Sequence, residues 1–288
     1  MEIINNRRVG FIEQIKKIFD KRVLRYLENR HKRHLKEGFP QLCISSFDHI
    51  GTRVNYFGRY ESTLLNIAME FLEKNFPDAL KKTAIDAGAN IGNHSVFFAQ
   101  VFKKVYSFEP VLKTFDILKI NIRESYNVEA INKGLSDSQR SEKIALSPVN
   151  QGMARIATSS DEFTETISLT TLDSFVEKTK IKVGLLKIDV EGHELSVLRG
   201  AKSFLNDQKP IVMFELLAED FQNGNNSFEY LQSLGYTNFY EVKDLLKTMN
   251  VDDPSLFEKI VGKVKGENVQ AMFDMASEDI ANALQIEM

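Results

Sequence analysis

Hydrophobic positions along the chain fall into two regimes. Over residues 9–36 they recur every three or four places, at Phe11, Ile12, Ile15, Ile18, Phe19, Val23, Tyr26 and Leu27, with basic residues on the other side. That spacing predicts an amphipathic helix. A second helical pattern, built on Leu64, Leu65, Ile67, Ala68, Phe71 and Leu72, covers residues 62–75 and is closed by Pro77 and Asp78. From residue 83 the pattern changes. Short continuous apolar runs at 83–86, 104–108, 128–131, 183–188, 211–214 and 237–242 predict strands. Between them, helices are predicted at 92–102, 110–123, 172–177, 193–204 and 228–234. Pro110 suits a first helical turn, and Gly235 ends the last of these helices. Residues 142–147 and 166–170 add two strands around a Ser/Asn/Gly-rich loop. Residues 243–288 read as helical apart from a candidate seventh strand at Val269–Phe273.

Continuous apolar strands that alternate with helices make a parallel sheet covered on both faces. The expected class is therefore α/β, a doubly wound and mostly parallel sheet of seven strands with an added N-terminal helical segment. Three regions are expected: a basic helical extension at 1–55, the α/β domain at 56–242, and a tail at 243–288. Ligands of such sheets bind beyond the carboxyl ends of the strands. The informative polar residues fall there: Asp86 to Asn90, Glu109, Ser136 and Asp137, Asp189 to Glu194, and Glu215.

Composition narrows the class. The 288 residues are 43% apolar and 27% charged, ordinary for a soluble domain. No run of apolar residues is long enough for a membrane-spanning helix, and the N-terminus lacks the apolar block of a secretory signal. The single Cys43 cannot form an internal disulfide, which fits a reducing, cytoplasmic setting. Charge is uneven. Residues 1–36 hold eleven Lys/Arg and four Asp/Glu, a balance of +7, so the remainder carries −3 − 7 = −10. An acidic body argues against nucleic acid as a partner. The basic helix suits packing on the body or on a second copy of the chain, docking on the inner face of an anionic membrane, or binding an acidic partner.

The stretch from Asp86 to Gly92 reads Asp-x-Gly-x-x-x-Gly, and Glu109 ends the next strand. A glycine turn followed by an acid at the tip of the second strand holds a nucleoside in an α/β sheet. The middle glycine of Gly-x-Gly-x-x-Gly, which lets a pyrophosphate approach, is missing. The pattern fits a nucleoside with a charged amino-acid tail, S-adenosylmethionine (SAM), and an NAD-dependent oxidoreductase is the competing enzyme reading. On this reading Gly88 and Gly92 turn the backbone so that amides face the ligand. Asp86 takes the ammonium, Glu109 takes both ribose hydroxyls, and Asp137 takes the adenine amino group. Plainer readings stand beside these: a tight strand–helix turn, a helix cap before Pro110, and an ordinary turn aspartate.

The second constellation, Lys187-Ile188-Asp189-Val190-Glu191-Gly192-His193-Glu194, is a strand running into a glycine turn. In an extended segment Lys187, Asp189 and Glu191 share a side. His193 is the natural general base for removing a hydroxyl proton, and Asp189 is placed to orient it or to touch the ligand. The plainer reading makes His193 a helix-start residue bonded to backbone. Carboxylates with one histidine also suit Mg, Mn or non-haem iron, but no second histidine stands at helical spacing, and no metal is expected.

Asp86–Ser95, Phe108–Pro110, Gly134–Asp137, Thr170–Asp173, Lys187–Glu194, Leu198–Ala201 and Phe214–Leu216 together resemble the FkbM family of SAM-dependent methyltransferases, over residues 56–242. The resemblance implies a class I, Rossmann-like methyltransferase fold and O-methylation of a hydroxyl on a surface polysaccharide, lipopolysaccharide, glycolipid, polyketide or other small molecule. It places the SAM site on Gly88, Asn90, Gly92 and Glu109, with Ala89, Asn93 and Ser136 alongside. Phe57-Gly58-Arg59-Tyr60-Glu61 resembles the Gly-x-Tyr-Glu element of the family, so Glu61 is expected to close over the cofactor. The combined expectation is a SAM-dependent O-methyltransferase acting on a sugar hydroxyl in a surface polysaccharide or glycolipid. His193 is its base, helped by Lys187 and Asp189. A polyketide hydroxyl is the alternative acceptor, and a SAM-binding module without catalysis is the non-enzyme alternative. An amine acceptor is disfavoured because no Asn/Asp-Pro-Pro-aromatic element is present.

Overall fold

The computed structural model describes residues 2–45, 48–145, 155–156, 164–216, 227–237, 239–241 and 271–275. The chain divides into two compact units, Met1–Ser62 and Thr63–Met288.

The first unit holds α1 (Glu2–Lys36) and α2 (His49–Phe57). α2 stops at Gly58, whose φ of 83° is left-handed and whose amide donates to the Val54 carbonyl. α1 and α2 meet through Arg30. Its Nε donates to the Tyr56 carbonyl at 2.8 Å, and its guanidinium lies 4.0 Å from the Tyr56 ring centre. The apolar stripe nearer the middle of α1 stays in solvent: Ile18, Phe19 and Leu24 are 55%, 65% and 60% exposed. No helix among the described residues is long and apolar enough to cross a membrane.

The second unit opens with α3 (Ser62–Asn75) and α4 (Pro77–Leu80). Then come β1 (Thr83–Ala87), α5 (Asn93–Phe98), β2 (Lys104–Phe108), α6 (Leu112–Asn121) and β3 (Val128–Ile131). A smaller section follows: β4 (Gly134–Leu135), β5 (Arg140–Ala145), β6 (Arg155–Ile156) and β7 (Thr164–Thr170). The chain continues through α7 (Leu172–Thr179), β8 (Val183–Ile188), α8 (Glu194–Arg199), α9 (Lys202–Gln208) and β9 (Ile211–Leu216). α10 (Ser227–Ser233), β10 (Phe239–Glu241) and β11 (Ala271–Met275) complete it.

The main sheet has the order β10-β11-β9-β8-β1-β2-β3, and every neighbouring pair is parallel. The winding reverses between β1 and β8, where the first half of the sheet runs outward through β2 and β3 and the second through β9. Both faces are apolar. Ile85, Ala87, Phe108, Leu186 and Ile188 pack with α7, α8 and α9 residues on one side. Ala84, Val105, Leu185 and Met213 pack with α3 and α5 on the other. This is the α/β Rossmann-like class expected from the sequence. Gly184 lets α4 lie directly on β8, because a Cβ there would sit 2.0 Å from the Ala79 carbonyl oxygen. A second sheet, β4-β7-β5-β6, is built on the antiparallel β5–β7 pair.

Differences from the expected elements have local causes. The single helix expected over 193–204 is two, α8 and α9, which turn at Gly200, where a Cβ would lie 1.9 Å from the Ser136 carbonyl oxygen. Asp173 starts the second piece by accepting from the Ser203 and Phe204 amides at 3.0 and 2.8 Å. The loop between β5 and β7 falls outside the described residues except for β6, and the helical tail over 243–288 does so except for β11.

Candidate active site

The Gly88–Gly92 turn leaves β1 at the switch point of the sheet. Gly88 (φ 76°) and Gly92 (φ 89°) are left-handed, and so is Asn90 at φ 50°. Each amide of the turn has an acceptor within the fold. Those of Gly88 and Ala89 donate to the Phe108 carbonyl, at 3.1 and 2.9 Å. Asn90 donates to Glu109 Oε2 (3.0 Å), Ile91 to Asn90 Oδ1 (2.7 Å) and Gly92 to the Ala89 carbonyl (2.8 Å). The amides therefore build the turn through contacts within the fold. Gly88 is needed for a different approach: a Cβ there would lie 1.8 Å from the Asp189 carbonyl oxygen. It is the loop after β8 that comes this close. Gly92 likewise makes room for Leu118 of α6, which a Cβ would meet at 2.6 Å. Asn93, expected among the cofactor residues, is buried as the first residue of α5.

Asp86 is fully buried. Its Oδ2 accepts from Ser95 Oγ at 2.7 Å, and Ser95 Oγ in turn accepts from Ser107 Oγ at 2.8 Å. Its Oδ1 makes no conventional hydrogen bond but lies 3.1 Å from Lys187 Nζ, close enough for the ion pair to satisfy it. Lys187 Nζ also lies 3.2 Å from Asp189 Oδ2 and donates to the Gly88 carbonyl at 3.2 Å. A buried ammonium among two carboxylates and a carbonyl uses its three donors locally. Lys187 and Asp86, expected in catalysis and in ammonium binding, also tie the tips of β1 and β8 together. The half-exposed Asp189 is the member of this group that reaches the surface.

Glu109, at the tip of β2, is 6% exposed. Besides the Asn90 amide on Oε2, it accepts the Val111 amide on Oε1 at 2.8 Å. Burial raises its pKa to about 7, against the pull of those two amides and of Lys187. Asn132 Nδ2 secures the backbone here by donating to the Glu109 and Pro110 carbonyls, at 2.9 and 3.0 Å. A carboxylate offers about four acceptor sites. The two amides leave one on each oxygen, which matches the vicinal diol of a ribose.

The loop after β8 carries two consecutive left-handed residues, Glu191 (φ 53°) and Gly192 (φ 86°). Glu194 latches it, with Oε1 accepting from the Val190 and Gly192 amides at 3.1 and 3.2 Å. Desolvation, then the negative charges of Asp189 and Glu194, raise the Glu191 pKa to about 7. Glu191 is itself exposed on this loop. His193 stands at the start of α8, half-buried, with burial and then Arg140 holding its pKa below the usual histidine value. Its Nε2 is 2.9 Å from Ser136 Oγ.

Ser136 is fully buried. Asp137 is exposed and held by Arg140 Nη1 (2.6 Å) and Ser138 Oγ (3.0 Å). Ser136 therefore meets His193, a contact absent from the sequence reading, while Asp137 is tied to Arg140. Glu61 belongs to the first unit and adopts a left-handed φ of 54°; its expected closure over the cofactor stays a proposal. The sequence reading missed Arg140, and it held Ser95, Glu194 and Gly200 only within longer motifs, without the contacts they make. Serines and arginines carry no spacing signal. Gly200 lies in the Leu198–Ala201 stretch already noted, but its contact with Ser136 crosses 64 positions of chain.

A sequence profile described as the methyltransferase FkbM domain matches residues 86–249, more than half of the 288 residues. The chain belongs to the FkbM methyltransferase family. The hexuronic acid methyltransferase AglP of Haloferax volcanii is 34% identical over 131 residues, 44% of this chain and 53% of that protein. The chain thus spans about half the length of that curated relative. A crystal structure of an FkbM methyltransferase from Methylobacillus flagellatus KT is 17% identical, with a TM-score of 0.34, over 63% of this chain and 47% of that one. The FkbM assignment removes the oxidoreductase reading. It also covers every residue of the site except Glu61. Within this FkbM domain, Thr170–Asp173 and Leu198–Ala201 act as braces: Thr171 Oγ1 caps α7 at the Ser174 amide (3.2 Å), and Asp173 and Gly200 hold α9 and Ser136 in place.

Proposed function

We propose that the protein is a SAM-dependent O-methyltransferase acting on a sugar hydroxyl of a surface polysaccharide or glycolipid, with a hexuronic acid as the first acceptor class to test. The observation that carries the cofactor half is Glu109, a carboxylate at the tip of β2 with one open acceptor site on each oxygen. The acceptor half rests on the likeness to a hexuronic acid methyltransferase.

When bound, SAM supplies a methyl group already activated by its cationic sulfur. Glu109 would accept the two ribose hydroxyls, its orientation fixed by the Asn90 and Val111 amides. The Lys187 bridge keeps the β1 and β8 loops in register around that position. His193, kept neutral near pH 7 by its lowered pKa, takes the proton of the acceptor hydroxyl. Transfer of that methyl to the oxygen, with the carbon–sulfur electron pair kept by sulfur, would leave S-adenosylhomocysteine, which the same Glu109 contacts would hold. Asp189 lies at the exposed margin of the same loop and is assigned to acceptor or cofactor positioning.

The test is turnover of SAM with a panel of uronic-acid, neutral-sugar and polyketide hydroxyls, followed by mass spectrometry. A methylated uronic acid supports the reading, and methylation confined to a polyketide overturns the acceptor class. His193→Ala should lower kcat by about 10²–10⁴-fold, the usual range for a general base, with SAM affinity preserved. Equal loss of both removes His193 from that role.

A further inference from the structure

We propose that Ser136 is a positioning residue that fixes the tautomer of His193, leaving Nδ1 as the nitrogen that takes the acceptor's proton. The proposal rests on His193 acting as the base.

The argument follows the hydrogens. Asp137 receives Arg140 Nη1 at 2.6 Å and Ser138 Oγ at 3.0 Å on Oδ1. Arg140 holds its carboxyl below the usual carboxylate range, so it is an ionised group that only accepts. Ser136 Oγ lies 3.2 Å from the same oxygen, a third and longest contact on it, and 2.9 Å from His193 Nε2. A hydroxyl has one proton to give. Given to the carboxylate, it leaves the serine oxygen to accept from Nε2–H. A neutral imidazole protonated on Nε2 carries its basic lone pair on Nδ1. When His193 gains a proton, the Nε2–H to Ser136 to Asp137 chain faces the new positive charge with a carboxylate one hydroxyl away.

Both ends are fixed by backbone rather than by flexible side chains. The Ser136 amide donates to the Thr170 carbonyl at 2.9 Å. Gly200, at the end of α8, lies so close to Ser136 that a Cβ would come within 1.9 Å of its carbonyl oxygen. His193 opens that same helix. The α8 segment is thus pressed against Ser136 at one end while its first residue offers the imidazole. The charged groups facing the ring are Arg140, Asp137 and Glu142.

The experiment combines ring-nitrogen NMR with variant kinetics on the full chain. In the wild-type protein the His193 signal, assigned by its loss in His193→Gln, should show the Nε2–H tautomer. Ser136→Ala should mix the tautomers and lower kcat by about tenfold or more, with KM for SAM within about twofold. Ser136→Thr, which restores a hydroxyl, should recover part of the rate. Retained S-adenosylhomocysteine binding by Ser136→Ala shows that the site still folds. An Nδ1–H tautomer in the wild type, or wild-type kcat in Ser136→Ala when His193→Gln is inactive, overturns the positioning role and leaves the base assignment standing. Full activity in His193→Gln overturns the base assignment itself.

Discussion

Glu109 links the site to pH. Its folded pKa of about 7 stands above the ordinary value of 4.5, so the folded state binds the extra proton between those two values. Its contribution to stability is full below pH 4.5 and is lost as pH rises through about 7. Ligand binding has the opposite sign, because the ionised carboxylate is the form with both acceptor sites open. Below pH 7, S-adenosylhomocysteine affinity should fall by up to about tenfold per pH unit, and Glu109→Gln should bind weakly with a flat profile. Calorimetry across that range checks this; a steep profile surviving in Glu109→Gln contradicts it. Glycine spacing is a second residue-scale case. The sequence showed where the chain must turn at Gly88 but not what fills the vacated space, because the Asp189 carbonyl arrives from a hundred positions away. Gly88→Ala should therefore lower the melting temperature and cofactor affinity together. Gly192→Ala, where nothing lies within 4 Å of the added Cβ, should cost only the left-handed strain of about 1 kcal/mol.

Elements buried on both faces were the most legible. β1 and β8 are buried at every position, so their apolar runs stood out in the sequence. β4 and β6, two residues each, have no periodicity to read, and the division of α8 from α9 depends on a contact with Ser136. α1 was legible as a helix, but its packing was not, since an apolar stripe does not name its partner. If its exposed Ile18, Phe19 and Leu24, in a segment of charge +7, dock on an anionic lipid surface, vesicles containing phosphatidylglycerol should sediment with the protein at low salt and neutral phosphatidylcholine vesicles should not. Phe19→Asp should abolish the effect without changing turnover. Failure to bind anionic vesicles, or a dimer lost in Phe19→Asp, would assign that face elsewhere.

At the scale of the molecule, the winding reverses between β1 and β8, and Lys187 joins the two strands there. Lys187→Met strands the buried Asp86 charge. It should cost about 3–5 kcal/mol in denaturant unfolding, the usual range for breaking a buried pair. Replacing both partners, with Asp86→Asn added, should recover much of that loss; a double variant no better than the single one contradicts the pairing. The parallel sheet that contains this switch point followed from strand–helix alternation alone. Its wiring did not, because each tie joins residues far apart in sequence. The most direct test is a calorimetric titration of the purified chain with S-adenosylhomocysteine. Saturable binding at one site, lost in Glu109→Ala while the protein stays folded, is the expected result. No heat from the folded wild-type protein, with either S-adenosylhomocysteine or SAM, contradicts it.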